Sequence, residues 1–134
     1  MISLEGRRIL LAEDDDSARK AVAKALRMLG AEVIETADGG RLLVAITSQY
    51  KGGHTPQELD LIITDVRMPV VSGLDVFKGI RAASWNTPVI IVTSFDTPDV
   101  RDVANRFGAT VILKPFELDD LEREIERLLA PTAG

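Results

Sequence analysis

The sequence predicts an α/β chain with a doubly wound, five-stranded parallel sheet and five helices, and three observations carry that expectation. Five short apolar runs recur at fairly even spacing: Ile9 to Ala12, Val33 with Ile34, Leu61 to Ile63, Val89 to Val92 and Val111 to Leu113. The first, third and fourth are nearly continuous in Ile, Leu and Val instead of alternating, as strands covered on both faces are. Segments with helical spacing fill the gaps, so strand and helix alternate five times. That order favours parallel pairing, right-handed crossovers and helices on both sides of the sheet.

Each helix announces itself by its apolar positions. Val22, Ala25, Leu26 and Leu29 mark the first, and Leu42, Leu43 and Ile46 the second. A weaker set, Leu74, Val76, Phe77 and Ile80, marks the third. Val100, Val103, Ala104 and Phe107 mark the fourth, and Leu118, Leu121, Ile125 and Leu128 the last. Asp15 or Asp16 suits the cap of the first helix, and Gly30 suits its end. Thr97 followed by Pro98 reads as a cap and a first helical position, with Gly108 just past the helix. Asp119 and Arg123 are spaced for an i, i+4 ion pair. Met28 and Phe77 sit at helical spacing and are expected in the core, whereas Tyr50 and Trp85 lie near loops. Residues 1–129 are expected to form one domain, with residues 130–134 a tail or the start of a linker.

Composition narrows the function. The 134 residues are 46% hydrophobic, enough for one domain with a real core and too few for a large multidomain enzyme. Sixteen Lys and Arg against 21 Asp and Glu leave a formal charge of -5, which argues against direct nucleic-acid binding. Without cysteine there is neither disulfide nor thiolate metal site. No apolar run approaches the roughly 18 to 20 residues of a membrane span, and residues 1–8 lack a signal-peptide core. A cytoplasmic chain without membrane association is the expectation.

In an open parallel sheet the functional crevice lies at the carboxyl ends of the strands. Here the first run ends in Glu13, Asp14, Asp15 and Asp16, and the third in Thr64 and Asp65. The fourth ends in Thr93 and Ser94, and the fifth in Lys114 and Pro115. Asp15, Asp16 and Ser17 are explained by a helix start, where acids meet free N–H groups and the positive dipole end. Glu13 and Asp14 come too early for that role. Two carboxylates such as Asp14 and Asp65 about 5 Å apart repel by roughly 3 kcal/mol at an effective dielectric near 20. A hard divalent cation such as Mg²⁺ relieves that strain. Lys114, the one cation at a strand end, together with the Thr93 hydroxyl, suits a phosphoryl group, and Asp65 suits a covalent nucleophile.

At these residues the chain resembles the response-regulator receiver domain of two-component signalling. The resemblance rests on ILLAEDD (residues 9–15), LIITDVRMP (61–69) with Gly73, PVIIVTS (88–94) and ILKPF (112–116), and covers residues 7–129. It implies a flavodoxin-like receiver fold with strand order 2-1-3-4-5. It also implies that Asp65 accepts a phosphoryl group from a sensor histidine kinase or phosphotransfer protein. Mg²⁺ would be held by Asp14 directly, by Glu13 through water, by Asp65, and by the backbone carbonyl of Arg67. Thr93 would be the switch hydroxyl, Lys114 the phosphate partner, and the Lys114–Pro115 bond cis. The partners would be the kinase and an output domain or effector protein, with a homodimer on activation as a further expectation. Such a chain is no enzyme beyond catalysing its own phosphorylation and dephosphorylation.

Two positions depart from the family pattern. Val111 stands where many receivers carry an aromatic residue, so an aromatic toggle is excluded. The link from Ser48 to Leu59 is long and contains His54, read as a solvated loop residue. Arg67 and Phe95 flank the expected water path, which predicts slow dephosphorylation. A receiver-like module that docks a partner without phosphorylation is the main alternative. A metal-dependent phosphatase using Asp14 and Asp16 is weaker, because Ala18 replaces the hydroxyl or branched residue it needs. Flavin and nucleotide binding lack their phosphate loops.

Overall fold

The computed structural model describes residues 2–50, 59–83 and 85–129. The long apolar runs become β1 (Arg8–Ala12), β3 (Leu61–Asp65) and β4 (Val89–Thr93), with β2 (Glu32–Thr36) and β5 (Thr110–Leu113) on the edges. Between them lie α1 (Asp16–Met28), α2 (Gly39–Tyr50), α3 (Gly73–Ala82), α4 (Pro98–Phe107) and α5 (Leu118–Leu129). All pairings are parallel, and the strand order is β2-β1-β3-β4-β5. Among the described residues, no helix is long and apolar enough to cross a membrane.

The sheet separates two cores because alternate side chains point to opposite faces. Ile9, Leu11, Leu61, Ile63, Ile90 and Val92 meet α1 and α5. Leu10, Ala12, Ile62, Val89 and Ile91 meet α2, α3 and α4. Burial on both sides explains why the central strands read as continuous apolar runs.

Caps settle most of the helix boundaries. Asp15, not Asp16, caps α1, its Oδ1 accepting from the Ala18 N–H at 2.8 Å, and Gly30 follows the helix at φ 105°. Thr97 caps α4 ahead of Pro98, and Gly108 ends it in the left-handed region. The Lys114–Pro115 bond is cis.

Five local expectations change. Met28 is 77% exposed, because the buried phase of α1 runs through Ala23, Leu26 and Leu29 and leaves position 28 outside it. Leu43 and Leu118 are likewise exposed, at the edges of their helices' apolar stripes. Arg123 meets Asp120 at 3.5 Å, one helical position from the expected Asp119. Helix α2 runs to Tyr50, three residues into the expected link, while His54 and the tail from 130 lie outside the described residues. Trp85, near a loop by sequence, is buried in the α2–α4 core.

Candidate functional site

Register assembles the site. Ala12 pairs with Thr64, so Glu13 falls level with Asp65, and Asp65 pairs with Val92. Thr93 pairs with Leu113, which puts Lys114 one step beyond the last paired residue of β5. Parity does the rest: Glu13, Asp65 and Lys114 continue the rows of side chains on the α1/α5 face, whereas Thr93 continues the row on the other face.

The three side chains meet. Lys114 Nζ donates to Asp65 Oδ2 at 2.6 Å and to both oxygens of Glu13, at 2.9 and 3.1 Å. Each of Glu13, Asp14 and Asp65 offers a carboxylate oxygen within 4.8 Å of the others, the separation at which mutual repulsion was expected. Glu13 and Asp65 are buried, and Asp14 is exposed.

Burial, followed by the hydrogen bond from the Asp65 side, raises the Glu13 carboxyl from 4.5 to about 7, with Lys114 pulling the other way. Burial alone would lower the Lys114 ammonium, but its bonds to Asp65 and Glu13 outweigh that and raise it. With Glu13 ionised, three carboxylates against one ammonium leave two negative charges in excess, which a divalent cation matches. The donor set is all oxygen, as a hard cation requires. The residues present therefore fit Mg²⁺.

Around this cluster two loops carry the remaining expected residues. The Arg67 N–H donates to Asp65 Oδ1 at 3.3 Å, and its guanidinium lies 3.6 Å over the Phe95 ring. Thr93 is fully buried, and its Oγ1 accepts from the Phe95 N–H at 3.0 Å. The loops after β3 and β4 are thus joined by a cation–π contact beside Asp65. Asp16 is drawn away from the cluster into an ion pair with Arg19 at 2.7 Å, which removes the second carboxylate that a phosphatase reading needs.

Close backbone approach holds the loop after Asp65. The Gly73 N–H donates to the Val66 carbonyl at 2.9 Å, and a Cβ at Gly73 would stand 1.9 Å from the Asp65 carbonyl oxygen. At Gly39 a Cβ would stand 1.7 Å from the Val71 carbonyl oxygen, so the start of α2 lies directly on the same loop. Gly73 stood in the sequence motif, but Gly39 did not. Arg19, whose Nη1 donates to the Glu13 carbonyl at 3.0 Å, was also passed over. An arginine one turn into a helix that follows four acids was the available signal. Between α1 and the start of α5, a cavity of about 560 Å³ opens beside Glu13 and Lys114, with Val22, Phe116 and Leu121 among its apolar walls.

The comparisons agree with this geometry. Residues 9–126 match the family model of the response regulator receiver domain. The transcriptional regulatory protein PdtaR of Mycobacterium tuberculosis is 35% identical over 121 residues, 90% of this chain and 55% of that protein. The chain spans between a quarter and just over half the length of the curated relatives it matches. Among solved structures, the chemotaxis protein CheY4 of Vibrio cholerae is 30% identical with a TM-score of 0.77, over 92% of this chain and 98% of that one. The response regulator TrrA of Thermotoga maritima, solved with Mg²⁺ and BeF, is 26% identical with a TM-score of 0.75, over 92% and 99%. With strand order, acidic cluster and lysine all in place, the chain belongs to the response regulator receiver domain family.

Proposed function

We propose that this chain is a phosphoacceptor switch of two-component signalling. A carboxylate oxygen of Asp65 attacks the phosphorus of a phosphohistidine on a sensor kinase or phosphotransfer protein. The P–N bond breaks, the imidazole nitrogen leaves with the electron pair, and an acyl phosphate remains on Asp65. Water later attacks that phosphorus, restoring the carboxylate and releasing inorganic phosphate. The chain thus catalyses only its own phosphorylation and dephosphorylation.

The observation that carries the reading is the Lys114 ammonium 2.6 Å from Asp65 Oδ2 inside a cluster of three carboxylates. Glu13, Asp14 and Asp65, with the carbonyl of Arg67, would hold Mg²⁺, which supplies charge neutralisation at the transferred phosphoryl group. The solved TrrA complex with Mg²⁺ and BeF supports that assignment by similarity. Lys114 neutralises a phosphoryl oxygen, and the Thr93 hydroxyl donates to another, shifting the loops after β3 and β4. The shift controls an output domain or effector protein in the cytoplasm, and activation is accompanied by homodimer formation.

Incubation with Mg²⁺ and acetyl phosphate should add one phosphoryl group by intact mass, and none to Asp65→Asn. Beryllofluoride should perturb the wild-type spectrum and leave that variant unchanged. The replacement of an aromatic by Val111 keeps one competitor in view, a module that docks its partner without phosphorylation. An unmodified mass together with an unperturbed spectrum would select that competitor.

A further inference from the structure

Glu13 and Asp14 supply two of the three clustered carboxylates, yet they lie between the end of β1 and the start of α1 and belong to neither. Their backbone is fixed from outside. The Glu13 N–H donates to the Thr36 carbonyl of β2 at 3.1 Å. The Glu13 carbonyl accepts from Arg19 Nη1 at 3.0 Å. Arg19 stands in the first turns of α1 with its side chain only 11% exposed, and its guanidinium cannot swing freely. Nη2 lies 2.7 Å from Asp16 Oδ1, and Nε lies 3.3 Å from Glu35 Oε1 of β2. One planar fork therefore ties α1, β2 and the acid-bearing loop together, a task that needs several donors in fixed directions.

We propose that Arg19 is the positioning residue of the acidic cluster. By holding the Glu13 carbonyl it fixes the backbone from which Glu13 and Asp14 present their carboxylates, and so sets the affinity of the site for a divalent cation. Groups that orient metal ligands from behind commonly change metal affinity by about 10- to 100-fold when removed. The inference rests on reading the cluster as a Mg²⁺ site.

Arg27 provides the control, since it shares Glu35 at 2.9 Å but binds the carbonyl of Val33 instead of that of Glu13. Arg19→Gln, Arg19→Lys and Arg27→Gln should be titrated with MgCl₂ by calorimetry, and amide exchange should be followed by NMR without the metal. In Arg19→Gln, Mg²⁺ binding should weaken about tenfold and the Glu13 amide should exchange about tenfold faster. Melting temperatures of Arg19→Gln and Arg27→Gln should be alike, and Arg27→Gln should bind Mg²⁺ as the wild type does. Arg19→Lys keeps the charge but not the fork and should fall between.

Wild-type affinity and exchange in Arg19→Gln would overturn the proposal, as would an equal affinity loss in Arg27→Gln. If Arg19→Gln does not fold, an intermediate loss in Arg19→Lys supports the proposal and wild-type behaviour there overturns it. A wild-type protein that binds no Mg²⁺ would overturn the metal reading, and exchange at Glu13 would still decide whether Arg19 holds the loop.

Discussion

Glu13 shows how a single buried acid can make stability depend on pH. Burial first, then Asp65, raise its carboxyl from 4.5 in the unfolded chain to about 7 in the fold. The folded state therefore holds the proton more tightly. Its stabilisation is full below pH 4.5 and is lost as the pH rises through about 7. The difference corresponds to about 3 kcal/mol. Lys114 is raised as well and stays charged across that window, so it does not offset the loss. Denaturant midpoints of the metal-free protein should fall between about pH 5 and pH 8, and Glu13→Gln should flatten the slope. An unaltered slope in that variant would place the titrating group elsewhere. The Arg67 guanidinium lies 3.6 Å over the Phe95 ring and the Arg67 N–H donates to Asp65 Oδ1, so the stacked pair is expected to slow the approach of water to Asp65. Phe95→Ala should shorten the lifetime of the phosphorylated protein several-fold, followed by the decay of intact mass. Equal lifetimes would mean that the stacked pair does not obstruct water.

Two glycines of one helix separate close approach from simple flexibility at the level of the elements. Gly73 starts α3 against the Asp65 carbonyl, where a Cβ would stand 1.9 Å away, while Gly79 lies within the helix and a Cβ there would meet nothing within 4 Å. Gly73→Ala should cost about 1 to 3 kcal/mol by overpacking and displace Asp65. Gly79→Ala should gain about 0.5 to 1 kcal/mol from helix propensity. Opposite signs in the two denaturation curves check the pair, and a neutral Gly73→Ala would show that α3 can slide without disturbing the site. The same contrast explains what could be read from the sequence. The strands were legible because both faces of β1, β3 and β4 are covered, and pleat parity then carried Glu13, Asp65 and Lys114 to one edge. Gly39 on the loop carbonyl of Val71 and Arg19 on the carbonyl of Glu13 depend on backbone approach between segments, which leaves no periodic trace. Val70, at φ 77°, is a β-branched residue in the left-handed region, and residue type alone would place it in extended backbone. Met28 was misplaced because four apolar residues near the end of α1 allow more than one helical phase.

Across the whole molecule, the acidic cluster and Lys114 sit where the carboxyl ends of β1, β3 and β5 converge. Val111 packs half-buried against the α2–α4 core. No aromatic stands at that position, and the loop that joins β4 to α4 is held by the bond from the Phe95 N–H to Thr93 Oγ1. A ligand that binds only the folded chain stabilises it by mass action. Mg²⁺ at ten times its dissociation constant should contribute about 1.4 kcal/mol. For a chain of this size that is a rise of about 3 to 5 °C in melting temperature. Asp14 is the residue with which to test it, because it is exposed and makes no hydrogen bond or ion pair among the described residues. Asp14→Ala should therefore melt at or above the wild type without metal, since one repelling carboxylate is gone, and lose the rise with it. A full rise in Asp14→Ala would mean that the ion binds elsewhere on an acidic surface. A metal-free variant already destabilised would mean that Asp14 supports the loop as well as the cation.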